Sequence, residues 1–345
     1  MPDEPFHLAL FSRAGTHKTV LFKRFAAYYA ARGYLINMFD PKADDMLDAT
    51  KLGKGARLYY KEFPTTLPVI GCLPSFAIKS NFSSSKLDRD IRRKFAHEFA
   101  FNINDVSDVN EICTLLAIKH DASMMATIRP LIVNSKSINQ LKYNVMRDKK
   151  IHYLVKNAML SRIDALILDE MFDTDKYEQL PMFDIWKKNM ISCINFYSRE
   201  PINMQYTVGK IIELQKLFSE KNNKRKLNFF DDASFYLKYP RAYSTEMVKN
   251  TINNWRTLKF SGIYGIQNPD DMDNGIISEC KFKLIGDVGR PESLRPFLTS
   301  EQFEVVSNLI SEGAPEYQFQ YVLLTEDRRF IRTGYPLGPI AGHVW

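Results

Sequence analysis

The sequence predicts an α/β chain with a mainly parallel sheet, a helical insertion and a C-terminal β-hairpin. Three observations predict it. The first forty residues run strand, loop, helix, strand. A block from about residue 85 to 188 changes to helical spacing with few glycines. The strand–helix rhythm then returns and ends in two short apolar segments. Units of strand, helix and strand build parallel sheets, because the crossover returns each strand beside the last in the same direction.

Phe6-His7-Leu8-Ala9-Leu10-Phe11 is an unbroken apolar run of strand length. A polar loop follows, then Val20–Arg32 with apolar residues at helical spacing, stopped by Gly33. Leu35–Phe39 is the second strand, closed by Asp40-Pro41-Lys42. Ser83-Ser84-Ser85 marks an exposed junction before the helical block, which spans about Asp88 to Lys188. Met190–Tyr197 is strand-like, and a helix is expected over about Val208–Glu220. The basic turn Lys221–Lys226 leads into the strand Leu227–Phe230, which ends at Asp231-Asp232. A helix over about Ser244–Leu258, a strand Gly262–Ile266 ending at Gln267 and a short strand Phe282–Ile285 follow. Phe319–Leu324 and Arg328–Arg332 flank Thr325-Glu326-Asp327 as a hairpin. The expected organisation is one domain, with its core at 1–50 and 189–345 and the insertion at about 85–188.

Composition narrows the class. Hydrophobic residues at 45% and charged residues at 25% are globular values and exclude a disordered chain. A net charge of +7 suits polyanionic partners, nucleic acid or an anionic membrane, and equally suits plain solubility. Cys72, Cys113, Cys193 and Cys280 are far apart with no C-x-x-C pair. That spacing speaks against a zinc site or a disulfide framework and for reduced thiols in a cytoplasmic protein. The acidic start Met1–Pro5 does not read as a signal peptide, and no run of 18 apolar residues suggests a transmembrane helix.

The loop after the first strand carries chemistry. A phosphate loop follows G-x-x-x-x-G-K-[ST], and this chain has Ser12-Arg13-Ala14-Gly15-Thr16-His17-Lys18-Thr19. Lys18 and Thr19 match. Ser12 and His17 take the glycine positions, and Gly15 sits inside the loop. Phosphate binding needs backbone N–H groups, a helix N-terminus, a lysine charge and a hydroxyl for Mg²⁺. The setting between an apolar strand and a helix supplies the first two, and with it a RecA-like P-loop NTPase core. The plainer reading is a capped helix start with an incidental Lys-Thr. Nucleotide hydrolysis also needs an acid at a strand end. Ala165–Glu170 and Leu227–Asp232 both qualify by their letters. Order along the chain favours Asp231-Asp232, which a helix and then a Gln267-ended strand follow; Asp169-Glu170 lies in the helix-rich block.

Four pieces in this order resemble the FtsK/HerA group of P-loop ATPases, which includes DNA translocases, conjugation and type IV secretion ATPases and viral genome-packaging motors. They are Ser12–Thr19, Phe39-Asp40-Pro41-Lys42, Phe229-Phe230-Asp231-Asp232-Ala233 and Gly265-Ile266-Gln267-Asn268-Pro269. The segment Ile276–Ile285 looks like the group's next core strand. The resemblance covers the first forty-five residues and about 190–290. It implies that Ser12–Thr19 cradles ATP, with Lys18 on the β- and γ-phosphates. Thr19 and Asp231 would hold Mg²⁺, Asp232 would polarise the attacking water, and Gln267 would sense the γ-phosphate. It also implies a ring, expected to be a hexamer, in which Arg256, with Lys259 beside it, serves as a finger in a neighbour's site. A surface arginine capping a helix end is the plainer reading of Arg256.

The implied activity is an ATPase motor that moves or packages double-stranded DNA, with a membrane, secretion or capsid partner, in the cytoplasm, or in the virion or host cytoplasm for a viral chain. Departures at Ser12, His17 and Asp232 predict slow turnover, since a shorter acid sets the base back by about one methylene. Two alternatives stay open: a degenerate P-loop protein that binds ATP for assembly, and a secretion ATPase acting on protein cargo. The guanine-reading N-K-x-D pattern is absent, which disfavours a GTPase. The basic groups Lys221–Lys226 and Arg89, Arg92, Arg93 and Lys94 suit nucleic acid or simple solvation.

Overall fold

The computed structural model describes residues 4–13, 18–41, 45–48, 69–81, 90–106, 108–118, 122–188, 191–197, 200–288, 290–311, 321–325 and 330–333. The Ser83–Ser85 junction, Lys42, Arg89 and the Glu326-Asp327 turn lie outside these residues.

Among the described residues, eleven strands form one sheet. They are β1 (His7–Phe11), β2 (Leu35–Asp40), β3 (Val69–Pro74), β4 (His97–Ala100), β5 (Glu178–Gln179), β6 (Ile191–Asn195), β7 (Lys226–Phe230), β8 (Phe260–Ile266), β9 (Phe282–Ile285), β10 (Tyr321–Leu324) and β11 (Phe330–Thr333). Their order is β11-β10-β9-β1-β8-β7-β2-β6-β3-β4-β5. All pairings from β9 to β5 are parallel. β10 runs antiparallel to β9 and to β11, so the expected C-terminal hairpin is present. The fold is α/β as predicted.

Helices cover both faces. Alternate residues of the central strands divide between two apolar clusters, as a period of two requires. Leu8, Leu10, Ile36, Met38 and Ile263 pack with the helix Lys18–Ala30. Ala9, Phe11, Phe39, Phe230 and Tyr264 face the other way, into the cluster that includes Tyr206 and Val208 of the long helix Pro201–Lys221. The region 85–188 supplies the helices Val109–Leu116, Ala122–Val133, Ile138–Arg147 and Tyr153–Leu168, and also β4 and β5. Its apolar side chains, among them Ile112, Leu115, Met159 and Trp186, belong to that same cluster.

Two polar devices fasten this region to the rest. Trp186 Nε1 donates to Asn37 Oδ1 at 2.9 Å, and Asn37 Nδ2 donates to Asn228 Oδ1 at 2.8 Å, so a buried network reaches from the helix Met182–Lys187 into β2 and β7. Glu111, fully buried, meets Lys210 Nζ at 3.0 Å and accepts from Tyr206 Oη at 3.0 Å. Glu111 also completes a capping box: Asp108 Oδ1 accepts from the N–H groups of Asn110 (2.8 Å) and Glu111 (3.2 Å), and Glu111 Oε2 accepts from Asp108 N (3.3 Å). Asp108→Ala is expected to cost about 1 kcal/mol, the usual worth of an N-cap. A urea unfolding curve would show it, and an unchanged midpoint would refute it.

Candidate nucleotide site

The candidate site lies where parallel strands end. Ser12 N donates to Ile266 O at 3.0 Å, and Arg13 N donates to Asp287 O at 2.8 Å, so the chain leaving β1 is tied to the ends of both neighbouring strands. Arg13 also pairs with Asp287 at 2.6 Å. Gly286 allows this close approach: a Cβ there would stand 3.0 Å from Ser12 Oγ and 2.6 Å from the Tyr321 ring. Ala14, Gly15, Thr16 and His17 lie outside the described residues. Lys18 opens the next helix and is buried, and its Nζ donates to Ser12 O at 2.7 Å and Arg13 O at 2.9 Å. Thr19 follows it, partly buried.

The acidic residues emerge from the same edge. Asp231 follows β7 and its N–H donates to Phe39 O at 3.0 Å. Asp232 follows with φ of +45°, in the left-handed region that aspartate tolerates better than most residues. Its N–H donates to Asp231 Oδ1 at 3.2 Å. Gln267, just past β8, donates from Nε2 to Asp232 Oδ1. Ala233 N donates to Gly265 O at 2.7 Å and locks the two strand ends together. Asp231 and Asp232 are both buried.

Two residues join the group without having been singled out in the sequence. Asn195 ends β6 in register with Asp40, and its Nδ2 donates to Asp40 Oδ2 at 3.4 Å. Its Oδ1 is buried with no hydrogen-bond partner among the described residues. The Tyr236 hydroxyl is likewise buried and unpartnered there. Burial pushes its pKa well above the usual value, and Asp40 and Asp231 push it further. The available signal was Asn195's place at a strand end; nothing in the letters marked Tyr236.

The rival acidic pair is placed elsewhere. Asp169 caps the C-terminus of the helix Tyr153–Leu168 and accepts from Asn203 Nδ2 at 2.8 Å. Glu170 is held by Lys176 at 2.6 Å, Lys79 at 2.9 Å and Tyr177 at 2.7 Å. Burial works to raise its pKa, but those three partners outweigh it and hold the carboxyl down at about 2. Neither residue ends a strand. Arg256 is exposed on the turn of helix Trp255–Leu258 ahead of β8, stacked 4.9 Å over Trp255, at the opposite end of the strand from Gln267. Arg92 and Arg93 of the expected basic face pair with Glu98 and Asp90. In the Lys221–Lys226 turn, Lys221 and Arg225 are exposed, but Lys226 is buried; burial and then Lys259 bring its pKa to about 8.

The sheet places the loop strand β1 between β9 and β8, with the acidic strand β7 one step further and β2 beyond it. The chain is similar over nearly all of its length to solved structures. The plasmid coupling protein TrwB in complex with the non-hydrolysable ATP analogue ADPNP superposes with a TM-score of 0.63 at 12% identity, covering 99% of this chain and 87% of that one. The chain shares the fold of this coupling protein. TrwB in complex with ADP and Mg²⁺ matches with a TM-score of 0.54 at 13% identity over 97% of this chain and 79% of that one. VirB4 of Thermoanaerobacter pseudethanolicus matches with a TM-score of 0.57 at 9% identity, covering 96% of this chain and 90% of that one. No family model and no curated protein sequence matches the chain.

Among the described residues, no group of three or more His, Cys, Asp or Glu side chains is arranged to hold a metal ion, and no helix is long and apolar enough to cross a membrane.

Proposed function

We propose that the chain is an ATP-driven motor of the FtsK/HerA type, working as a ring, expected to be a hexamer, on double-stranded DNA in the cytoplasm. The observation that carries this is the gathering of Ser12, Lys18, Asp231, Asp232 and Gln267 at the C-terminal ends of adjacent strands, in the order such chemistry needs. The core at 1–50 and 189–345 would bind ATP, and the region at about 85–188 would be its attached helical part.

Each residue then has a role. Ser12–Thr19 would wrap the phosphates, and Lys18, buried at the helix start, would neutralise the β- and γ-oxygens. Thr19 and Asp231 would hold Mg²⁺, which when bound supplies positive charge to the phosphate oxygens. Asp232 would polarise the attacking water and take its proton as the water bonds in line to the γ-phosphorus and the bond to the β–γ bridging oxygen breaks, releasing ADP. Gln267, already bonded to Asp232, would register whether that phosphate is present. Arg256 stands at the far end of β8 from its own chain's site, so its proposed finger role would serve a neighbour's nucleotide. The basic balance of the chain supports DNA over protein cargo.

A second reading has its own support. Lys18 Nζ is turned onto two loop carbonyls, and Asp232 is engaged by Gln267, an arrangement that suits ATP held for assembly with little turnover. Asp232→Asn tests the choice. The motor reading expects ATP affinity to be kept and turnover to fall at least tenfold, the low end for loss of a general base. Wild-type protein that binds ATP and turns over no faster than this variant would establish the assembly reading instead. Particle size with ATP and DNA tests the ring, and a strict monomer under all conditions would remove Arg256 from the site.

A further inference from the structure

Of the eight large hydrophobic side chains that stand exposed among the described residues, four sit together at one tip. Tyr143 (51% exposed) and Met146 (57%) lie near the end of the helix Ile138–Arg147, and Tyr153 (63%) and Leu154 (59%) open the helix Tyr153–Leu168. The two helices are joined by residues 148–152 and pack through Leu141 and Val145 on one and Met159 and Ile163 on the other, all buried. The apolar groups at the tip are therefore left over after the hairpin has satisfied its own seam.

The same tip is basic. Residues 142–156 hold five lysines and arginines against one acid, Asp148. Lys142 is paired with Asp164 at 2.6 Å, and Lys156 is turned onto the carbonyls of Met146 and Asp148. Arg147, Lys149 and Lys150 are exposed and make no ion pair among the described residues. Asp148 itself is occupied, accepting from Lys150 N at 2.6 Å and Ile151 N at 3.1 Å, so it shapes the turn. The tip thus presents a preformed apolar knob with cations around it.

We propose that this tip docks on an anionic phospholipid surface. Cations are drawn to such a surface, and Leu, Met and Tyr side chains gain by entering the boundary between headgroups and acyl chains, the tyrosines with their hydroxyls at headgroup level. A nucleic-acid backbone would use Arg147, Lys149 and Lys150 but offers nothing to Met146 and Leu154. The docking is independent of the nucleotide reading and stands or falls without it.

Co-sedimentation of the full chain with phosphatidylcholine vesicles, with and without phosphatidylserine, tests this. Binding is expected only with phosphatidylserine and should weaken with salt. Lys149→Glu with Lys150→Glu should reduce it at least tenfold, given about fivefold per lysine lost near such a surface. Met146→Gln with Leu154→Gln should reduce it as well, without changing the thermal midpoint. Leu154→Trp should bind and shift its emission to the blue on these vesicles. No phosphatidylserine-dependent binding would overturn the proposal, as would full binding by the Met146/Leu154 variant. So would loss of DNA binding in the lysine variant with vesicle binding intact, or a smaller particle in the Met146/Leu154 variant, which would mean that a second copy covers the tip.

Discussion

Lys18→Ala is expected to lower ATP turnover by about 10²–10³-fold, the usual consequence of removing one charge aimed at the transition state. Lys18 is buried at the first position of its helix, and its amine reaches back across the loop to Ser12 O and Arg13 O. ATP entering the loop would exchange those carbonyls for phosphate oxygens, which attract an ammonium far more strongly. On the proposed reading, the charge would be in place before the ligand arrives. Alanine leaves the Ser12–Ile266 and Arg13–Asp287 backbone bonds in place, so the loop's anchoring should persist and the loss should appear in chemistry and in ATP affinity rather than in folding. Single-turnover hydrolysis beside ATP titration measures both. A variant that turns over ATP like the wild type would remove Lys18 from the catalytic site.

Glu111→Ala is expected to destabilise the protein by about 3 kcal/mol. Breaking a buried ion pair leaves the partner charge without water or counterion, which costs about 3–5 kcal/mol. Here Lys210 keeps Glu213 at 2.8 Å and the Asp105 carbonyl at 2.7 Å, which places the loss at the lower end. Burial works against the Lys210 charge, but Glu111 and Glu213 outweigh it and raise its pKa. The alanine variant also strips the acceptor from the Tyr206 hydroxyl and one half of the Asp108 capping box. Glu111→Gln keeps an acceptor and should fall between. Urea unfolding midpoints order the three proteins, and a loss under about 1 kcal/mol for alanine would show that Lys210 is satisfied without Glu111.

The parts of the fold that were legible in the sequence are those whose signal is local. Phe6–Phe11, Leu35–Phe39 and Leu227–Phe230 are apolar runs buried on both faces, and they appear as β1, β2 and β7 within a residue or so. β3, β4 and β5 were not foreseen. His97-Glu98-Phe99-Ala100 is too short and too polar to stand out, and Glu178-Gln179 is a two-residue strand made by pairing with Phe99 and Ala100. Their strand character comes from a neighbour that no local window contains. The short strand expected at Phe282–Ile285 forms as β9, whereas the longer segment Ile276–Ile285 that the resemblance implied as one strand divides, because Asp273 caps a helix at Asn274–Glu279.

The site shows the same division. Lys18, Asp231 and Gln267 were legible because each sits at a strand or helix end, where function concentrates in parallel sheets. Asn195 and Tyr236 were not, because what brings them in is the pairing of β6 with β2 and the packing of a buried ring beneath Asp40 and Asp231.

The backbone at Asp232 constrains which acid the position accepts. With φ at +45°, a residue there pays for its side chain, and short polar side chains that can bond locally pay least. Replacing aspartate by the longer glutamate would extend the reach of the carboxylate while loading the strained turn, so a gain in chemistry and a loss in stability would arrive together. Asparagine has nearly the same shape and the same tolerance, which makes Asp232→Asn a change of charge with the backbone left alone. A sequence drifting under selection for faster turnover would meet a ridge at this position and would have to relax the turn before it could lengthen the acid.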